Sequence, residues 1–160
     1  MLASGLMFKI LAVVSWLVIA AVATDLPTKK YLNLSAVKKM VAAAEAKAAE
    51  LHVQVTICIV DENGILLFLE KGDNVTSNTL EWAQRKARHA AFYKSPSREA
   101  AETIKKGSLE ALAYPEFFPN QGGLPILLDG QILGGIAASG ARSEVDEAVA
   151  QAGLDALQKP

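Results

Sequence analysis

Two pairs of short apolar segments, each joined by a tight turn, constrain the fold of this chain more than any other feature. Asn-Gly and Asp-Gly are typical of tight hairpin turns, because both positions accept a positive φ. Hairpins join antiparallel strands, so the pattern predicts an antiparallel sheet and argues against a parallel, Rossmann-like sheet. The predicted hairpins are residues 53–60 with 65–69 across Asn63-Gly64, and residues 124–128 with 131–137 across Asp129-Gly130.

Four helices are predicted around these hairpins. Each has apolar residues at helical spacing or a polar residue that can cap its first turn. The predicted helices begin at Ser35, at Asn78 with Glu81 at capping-box spacing, at Ser95-Pro96 and at Ser143. The second of them runs to about Tyr93, and Gly107 ends the third. We therefore expect an α/β (α+β) domain in which helices pack against one antiparallel sheet.

Residues 1–23 have the pattern of a secretory signal peptide. Lys9 precedes an apolar run that ends in the small residues Ala21-Val22-Ala23. Cleavage there leaves a domain over residues 24–160, and the protein is then expected in the periplasm or outside the cell, with no membrane attachment. The alternative is an uncleaved anchor, because the apolar stretch is nearly long enough to span a bilayer.

Composition excludes several classes of protein. The chain has 160 residues, 51% of them hydrophobic, which suits one folded domain. Its 16 basic and 17 acidic residues give a net charge of −1, so the sequence lacks the cationic patch that nucleic-acid binding requires. The single cysteine, Cys58, excludes an intrachain disulfide framework and a multi-cysteine zinc site. Cys58 lies in the first predicted strand, where we expect a buried packing residue without a catalytic role.

Common catalytic motifs are missing from the sequence. There is no G-x-S-x-G turn, and the glycine-rich run at 134–140 lacks the lysine of a phosphate loop. We expect this run to be a strand that lets another backbone approach closely. Two carboxylate pairs, Glu99/Glu102 and Glu144/Glu147, each point to one face of a predicted helix. Such a pair suits a hard cation, but a solvated acidic surface is the commoner outcome.

The second predicted helix carries the most informative side chains. One of its faces is a seam of small residues that can pack tightly against a sheet. Another face presents Trp82, Lys86, His89 and Tyr93 at positions i, i+4, i+7 and i+11. Such a stripe can bind haem, with His89 as the iron ligand, Trp82 and Tyr93 stacking on the porphyrin, and Lys86 facing a propionate. The alternative, favoured by the residues alone, is a stripe used for packing or for contact between subunits.

Several short motifs, in their order and spacing, resemble the GlcG/HbpS-type haem-binding proteins. The resemblance covers about residues 34–157 and depends on the run as a whole, because no single motif is specific. It implies a profilin-like α/β/α sandwich around one central antiparallel sheet. The matching segments are Val60–Gly64, Lys86–Ala91, Gly122–Ile126, Asp129–Gln131, Ser139–Ala141, Asp146 and Ala152–Leu154.

The resemblance also implies binding of haem or a related tetrapyrrole, sometimes with haem degradation or iron binding, and assembly into homo-oligomers. The sequence departs from the family pattern at His89, where a small residue or threonine is usual, and at Ala137, where glycine is frequent. His89 either adds an iron ligand that the usual family member lacks or indicates that this protein binds a different ligand. Aromatic residues near predicted loops are also typical of an interface between subunits; they are Phe92, Tyr114, Phe117 and Phe118.

The leading hypothesis is an exported, oligomeric protein that binds a small molecule, with haem as the expected ligand. Two alternatives stay open. One is a haem-degrading or redox enzyme that uses bound haem as substrate or cofactor. The other is an accessory or sensory protein, linked to glycolate or diol metabolism, that has no catalytic activity. The sequence alone does not decide whether the protein is an enzyme.

Overall fold

The computed structural model describes residues 26–158, so the predicted signal peptide lies outside the described residues. Four α-helices and four β-strands follow one another in the order expected from the sequence. A short 3-10 helix over Leu109–Ala113 comes between the third helix and the third strand. The elements are α1 (Leu34–Glu50), β1 (Thr56–Asp61), β2 (Leu66–Lys71), α2 (Asn78–Tyr93), α3 (Ser97–Lys105), β3 (Gly123–Leu128), β4 (Gln131–Ser139) and α4 (Ser143–Gln158).

The four strands form one sheet in the order β2-β1-β4-β3, and every neighbouring pair is antiparallel. This confirms the antiparallel sheet predicted from the two hairpins. In the second hairpin turn both Asp129 and Gly130 have positive φ, as a tight Asp-Gly turn requires. In the first turn only Gly64 has a positive φ. There the Asp61 carboxylate accepts hydrogen bonds from the backbone N–H of Asn63 and of Ile65, and these bonds close a wider loop.

Because side chains point alternately to the two faces of the sheet, the core has two layers, one on each face. Ile57 and Ile59 of β1 face α1 and α4. Cys58 and Val60, which alternate with them, face the small residues of α2. Helices therefore cover both faces of the sheet, which confirms the α/β/α sandwich. The burial of Cys58 is also confirmed, and burial raises the pKa of its thiol to about 12.

Close backbone approach at the glycines of β4 is confirmed. A Cβ at Gly134 would lie 2.0 Å from the carbonyl oxygen of Val60, and one at Gly135 would lie 2.1 Å from that of Ala87. Gly135 therefore sets the distance between β4 and α2. A bulkier residue there forces the helix away from the sheet.

Helix α2 begins at Asn78 as predicted, but the predicted capping of three helices was wrong. Asn33, rather than Ser35, caps α1 by accepting a hydrogen bond from the N–H of Ala36. The capping box at the start of α2 does not form, because Asn78 instead accepts a hydrogen bond from Thr76. Helix α3 begins at Ser97, after Pro96, whose ψ of 138° is extended. Among residues 26–158, no helix combines the length and the apolarity needed to cross a bilayer.

Candidate functional site

Helix α2 carries all four residues singled out in the sequence, but the structure divides them between two neighbouring sites. Trp82 and Tyr93 are partly exposed, at 40% and 37% of their surface, whereas Lys86 and His89 are 1% and 2% exposed. Trp82 and Lys86 line a polar cavity at the end of β4. His89 and Tyr93 belong to an aromatic cluster one to two turns further along the helix. The predicted stripe is therefore not one continuous surface.

The aromatic cluster consists of His89, Tyr93 and Phe117. The rings of His89 and Tyr93 are stacked, with centroids 4.6 Å apart and planes inclined by 16°. Phe117 meets both rings edge-on, at 5.4 Å from His89 and 5.7 Å from Tyr93. Both geometries are favourable for aromatic pairs. The cluster holds the imidazole in one fixed orientation.

Residues 114–120, which we call the strap, run across this cluster. The phenol of Tyr93 donates a hydrogen bond to the carbonyl oxygen of Pro115 at 2.9 Å. The guanidinium of Arg88 lies 2.5 Å from the Glu116 carboxylate. Glu116 has a φ of 59°, a conformation that non-glycine residues rarely adopt, so the strap turns sharply above His89. Side chains from successive turns of α2 thus hold the strap in place.

The two contacts of the His89 Nδ1 atom allow two tautomers. The N–H of Phe118 lies 3.2 Å from Nδ1 and can donate to it, which leaves the ring proton on Nε2. The carbonyl oxygen of Glu116 lies 3.3 Å from the same atom and can accept its proton, which leaves Nε2 with a free lone pair. Burial lowers the pKa of His89, although the Glu116 carbonyl opposes this effect. The imidazole is therefore neutral near pH 7, the form that binds metals.

Two arginines surround the aromatic cluster with positive charge. The guanidinium carbon of Arg85 lies 4.2 Å from the centre of the Phe118 ring, a cation–π contact. Arg88 is 43% exposed on its side chain, and its Nε has no hydrogen-bond partner in the described part of the chain. Arginine pairs well with carboxylate groups because its donors form a planar fork. This surface therefore offers apolar rings with two cationic groups beside them.

The polar cavity is built around a buried ion pair. Lys86 Nζ lies 2.8 Å from Oδ2 of Asp146 and donates a second hydrogen bond to the carbonyl oxygen of Ala138 at 3.1 Å. The other carboxylate oxygen of Asp146 accepts the N–H of Ala141 at 2.9 Å. Burial lowers the pKa of Lys86, and the Asp146 carboxylate opposes that shift. The pair joins α2 to the first turn of α4.

The cavity itself has a volume of about 160 Å³ and a mostly polar lining. Its remaining lining residues come from the start of α2, the loop before β3, the end of β4 and the start of α4. Gly122 and Gly123 cover Lys86, since a Cβ at Gly123 would lie 2.3 Å from the Lys86 carbonyl oxygen. Besides Trp82, Lys86 and Asp146, the lining comprises Thr76, Thr79, Asn120, Ser139, Gly140, Ala141 and Ser143.

Asp146 and Ser139 were not predicted from the sequence as site residues. Asp146 occurs at the start of a predicted helix, where an acidic residue needs no special explanation because it complements the helix dipole. Glu144 and Glu147, considered as a cation-binding pair, instead pair with Arg142 and Arg98 respectively. Within residues 26–158, no group of three or more His, Cys, Asp or Glu side chains is arranged to hold a metal ion.

Known proteins are similar to this chain in sequence over most of its length. Residues 32–155 match the family described as haem degrading protein HbpS-like. The chain is 30% identical over 135 residues to an uncharacterized 15.0 kDa protein from the dhaT-dhaS intergenic region of Citrobacter freundii, covering 80% of this chain and 93% of that protein.

Two solved structures have the same fold. The crystal structure of HbpS is 30% identical and matches with a TM-score of 0.75, over 86% of this chain and 97% of that one. A structure described as a PduOC:heme complex is 26% identical and matches with a TM-score of 0.73, over 79% of this chain and 95% of that one. The fold, the order of the elements and the sequence match agree, and the chain belongs to the HbpS-like family.

Proposed function

We propose that the protein binds haem, or a closely related tetrapyrrole, against the aromatic face of α2, with His89 as a ligand of the iron. The observation that carries the proposal is the His89 imidazole itself, which is neutral, stacked on Tyr93 and placed with Nδ1 beside the Glu116 carbonyl. Histidine ligands of metals commonly donate Nδ1–H to such a carbonyl, which leaves Nε2 for the metal. The relative solved as a haem complex supports this proposal.

The residues around His89 fit such a ligand. Tyr93 and Phe117 offer apolar ring surface, and Trp82 adds a partly exposed ring two turns away. Because the Lys86 ammonium is buried against Asp146, we assign the propionate contacts to Arg85 and Arg88, whose side chains are 49% and 43% exposed. Haem, when bound, would supply an iron centre that takes up small ligands or exchanges electrons. His89 would fix the orientation of the group, and the rings would exclude water from it.

Access to His89 requires the part of the strap beyond Glu116 to move, because His89 is 2% exposed beneath it. The contacts that hold the strap are hydrogen bonds, one ion pair and aromatic contacts, each of modest strength at a partly exposed site. In this proposal Phe117 and Phe118 leave α2 and present their rings to an incoming flat ligand, while the Glu116 carbonyl stays beside Nδ1 of His89. Haem binding and strap opening are therefore coupled in this proposal.

Export and assembly are further parts of the proposal. The signal-peptide pattern of residues 1–23 supports a mature protein that begins at Thr24 in the periplasm or outside the cell. Large exposed apolar side chains support a homo-oligomer, since Ile65 is 62%, Tyr114 is 53% and Phe92 is 48% exposed. Intact-mass analysis of the exported protein tests the first part. Light scattering at micromolar concentration tests the second, and a monomeric mass contradicts it.

A haem titration followed by the Soret band tests ligand binding and the role of His89. We expect saturable binding, and we expect His89→Ala to shift the band or abolish it. His52→Ala is the matched control, because His52 is exposed and lies just beyond the end of α1. Arg85→Gln combined with Arg88→Gln should weaken binding while the band position stays the same. An unchanged spectrum in His89→Ala contradicts the role of His89 as an iron ligand.

The same titration distinguishes binding from degradation. The description of the family as haem degrading favours an enzyme as the second candidate function. In that case the Soret band disappears with time once a reductant and oxygen are added, and a linear tetrapyrrole accumulates. A carrier or sensor retains the band under those conditions. His89→Ala again serves as the comparison, since both functions need the ligand.

A further inference from the structure

The polar cavity around Lys86 has donors that the protein itself leaves unused. A lysine ammonium carries three N–H groups, and Lys86 bonds two acceptors, the Asp146 carboxylate and the Ala138 carbonyl. The Ser139 side chain is also buried at the cavity wall, 1% exposed. No hydrogen bond joins its hydroxyl to another side chain or to the backbone in the part of the chain that the structure describes. A hydroxyl that faces a polar cavity without a partner in the described part of the chain indicates a place for another polar group.

The carboxylate of Asp146 and the hydroxyl of Thr79, in contrast, already have partners within the protein. Oδ2 of Asp146 accepts from Lys86 and Oδ1 accepts from the N–H of Ala141. The Thr79 hydroxyl is bonded to Thr56 and to the carbonyl of Thr76. The first turn of α4 begins at Ser143 in the cavity wall, so the positive end of that helix dipole adds to the donor character. The cavity therefore favours a ligand that accepts hydrogen bonds and carries negative charge.

The size and the charge of the cavity limit the ligand further. A water molecule occupies about 30 Å³ in the liquid, so a cavity of about 160 Å³ holds roughly five non-hydrogen atoms. A porphyrin is far too large for it. Because Asp146 already neutralises Lys86, only the helix dipole and neutral donors remain to balance the charge of a ligand. A monoanion fits this balance better than a dianion such as phosphate.

We propose that this cavity is a second binding site, for a small carboxylate of two or three carbons. The carboxylate accepts the free N–H of Lys86 and the hydroxyl of Ser139, and the Asn120 amide and the Ser143 hydroxyl lie within the same wall. The ring of Trp82 forms part of the entrance and is 40% exposed. The site is separate from the aromatic cluster, so the proposal does not depend on haem binding.

Binding can be followed by NMR with the full chain carrying Trp16→Phe, because Trp82 is then its one tryptophan. The probes are acetate and lactate at constant ionic strength, and the signals are the Trp82 indole N–H and the backbone amides of Gly140 and Ala141. We expect saturable shifts of all three signals. Methylammonium, a cation of similar size, should cause none, and phosphate should bind more weakly than acetate.

Two variants test the site without breaking the buried ion pair. Ser139→Val removes the unpartnered hydroxyl and fills part of the cavity, and Asn120→Asp adds a negative charge to the wall. Loss of one buried hydrogen bond is expected to raise the dissociation constant of acetate about tenfold, and the added charge should raise it further. Ser95→Val is the control, because Ser95 is not in the cavity lining, and it should leave the dissociation constant of acetate unchanged.

Three results would overturn the proposal. One is the absence of saturable shifts with either carboxylate. Another is an acetate affinity that stays the same in both Ser139→Val and Asn120→Asp while their spectra show folded protein. The third is phosphate or methylammonium binding as tightly as acetate, which would contradict the assignment of a monoanionic carboxylate. None of these results bears on haem binding, which the Soret titration measures separately.

Discussion

The ammonium of Lys86 lies 2.8 Å from the carboxylate of Asp146, a residue 60 positions later in the chain. The pair joins α2, on one face of the sheet, to α4, on the other, at the point where β4 ends. The second Lys86 hydrogen bond, to the Ala138 carbonyl, includes that strand in the same junction. A buried ion pair contributes little net stability compared with apolar packing, but loss of one partner leaves the other charged and unsolvated. This junction therefore depends on both residues together.

Replacement of Lys86 by methionine should destabilise the fold strongly. Lys86→Met leaves the Asp146 carboxylate buried without its counter-ion, and we expect the free energy of unfolding to fall by about 3–5 kcal/mol in urea denaturation. The double variant Lys86→Met/Asp146→Leu should recover most of that loss. Lys38→Met, at an exposed position of α1, is the control and should change stability by less than about 0.5 kcal/mol. A double variant no more stable than Lys86→Met contradicts the pairing.

The free energy of unfolding should decrease as the pH is lowered, because His89 binds a proton more readily in the unfolded chain. Burial lowers its pKa from the ordinary 6.5 in the folded protein, so the unfolded chain binds the proton more readily. The free energy of unfolding therefore decreases as pH falls from about 7 toward the lowered pKa, with a slope of at most about 1.4 kcal/mol per pH unit. His89→Gln should remove this part of the slope, and His52→Gln should retain it. Equal slopes in wild type and His89→Gln contradict the shift.

The thiol of Cys58 should be unreactive in the native protein. Cys58 is fully buried between β1 and α2, and burial raises the pKa of its thiol to about 12, so almost no thiolate exists at pH 8. Ellman's reagent should therefore modify Cys58 only when the protein opens. In guanidinium, where the thiol is exposed, the reagent should react at once with one thiol per chain. Fast, complete modification without denaturant would show that the thiol is accessible.

Substitution of Gly135 should separate α2 from the sheet. In Gly135→Ala the new methyl group would lie 2.1 Å from the Ala87 carbonyl oxygen, which is backbone and cannot rotate away. We expect a loss of about 3 kcal/mol in the free energy of unfolding. Gly130→Ala is the comparison, because its Cβ meets nothing within 4 Å and only its φ of 77° opposes the change, at a cost of about 1 kcal/mol. Similar losses in both variants would show that the close approach is not the cause.

Local features of the sequence were sufficient to predict much of the fold. Asp129-Gly130 produces its tight turn through the backbone preferences of the two residues themselves, and the hairpins that follow from such turns determine an antiparallel sheet. Cys58 was expected in the core because it lies in an apolar strand, and helices on both faces of the sheet bury β1 from Thr56 to Val60. Helix starts were less certain, because neighbouring polar residues such as Asn33 and Ser35 compete for the same capping role.

The sequence by itself thus determined the elements, their antiparallel pairing and the placement of Trp82, Lys86, His89 and Tyr93 on one helix. Only the tertiary structure decided which of these side chains are exposed and what they contact. A lysine on a helix is ordinarily exposed, and Lys86 is buried because α4 brings Asp146 to it and Gly122-Gly123 leave room for it. His89 is covered by the strap, whose Glu116 lies 27 positions later in the chain. Backbone preference acts between neighbours in the chain, whereas burial and pairing depend on how distant elements pack.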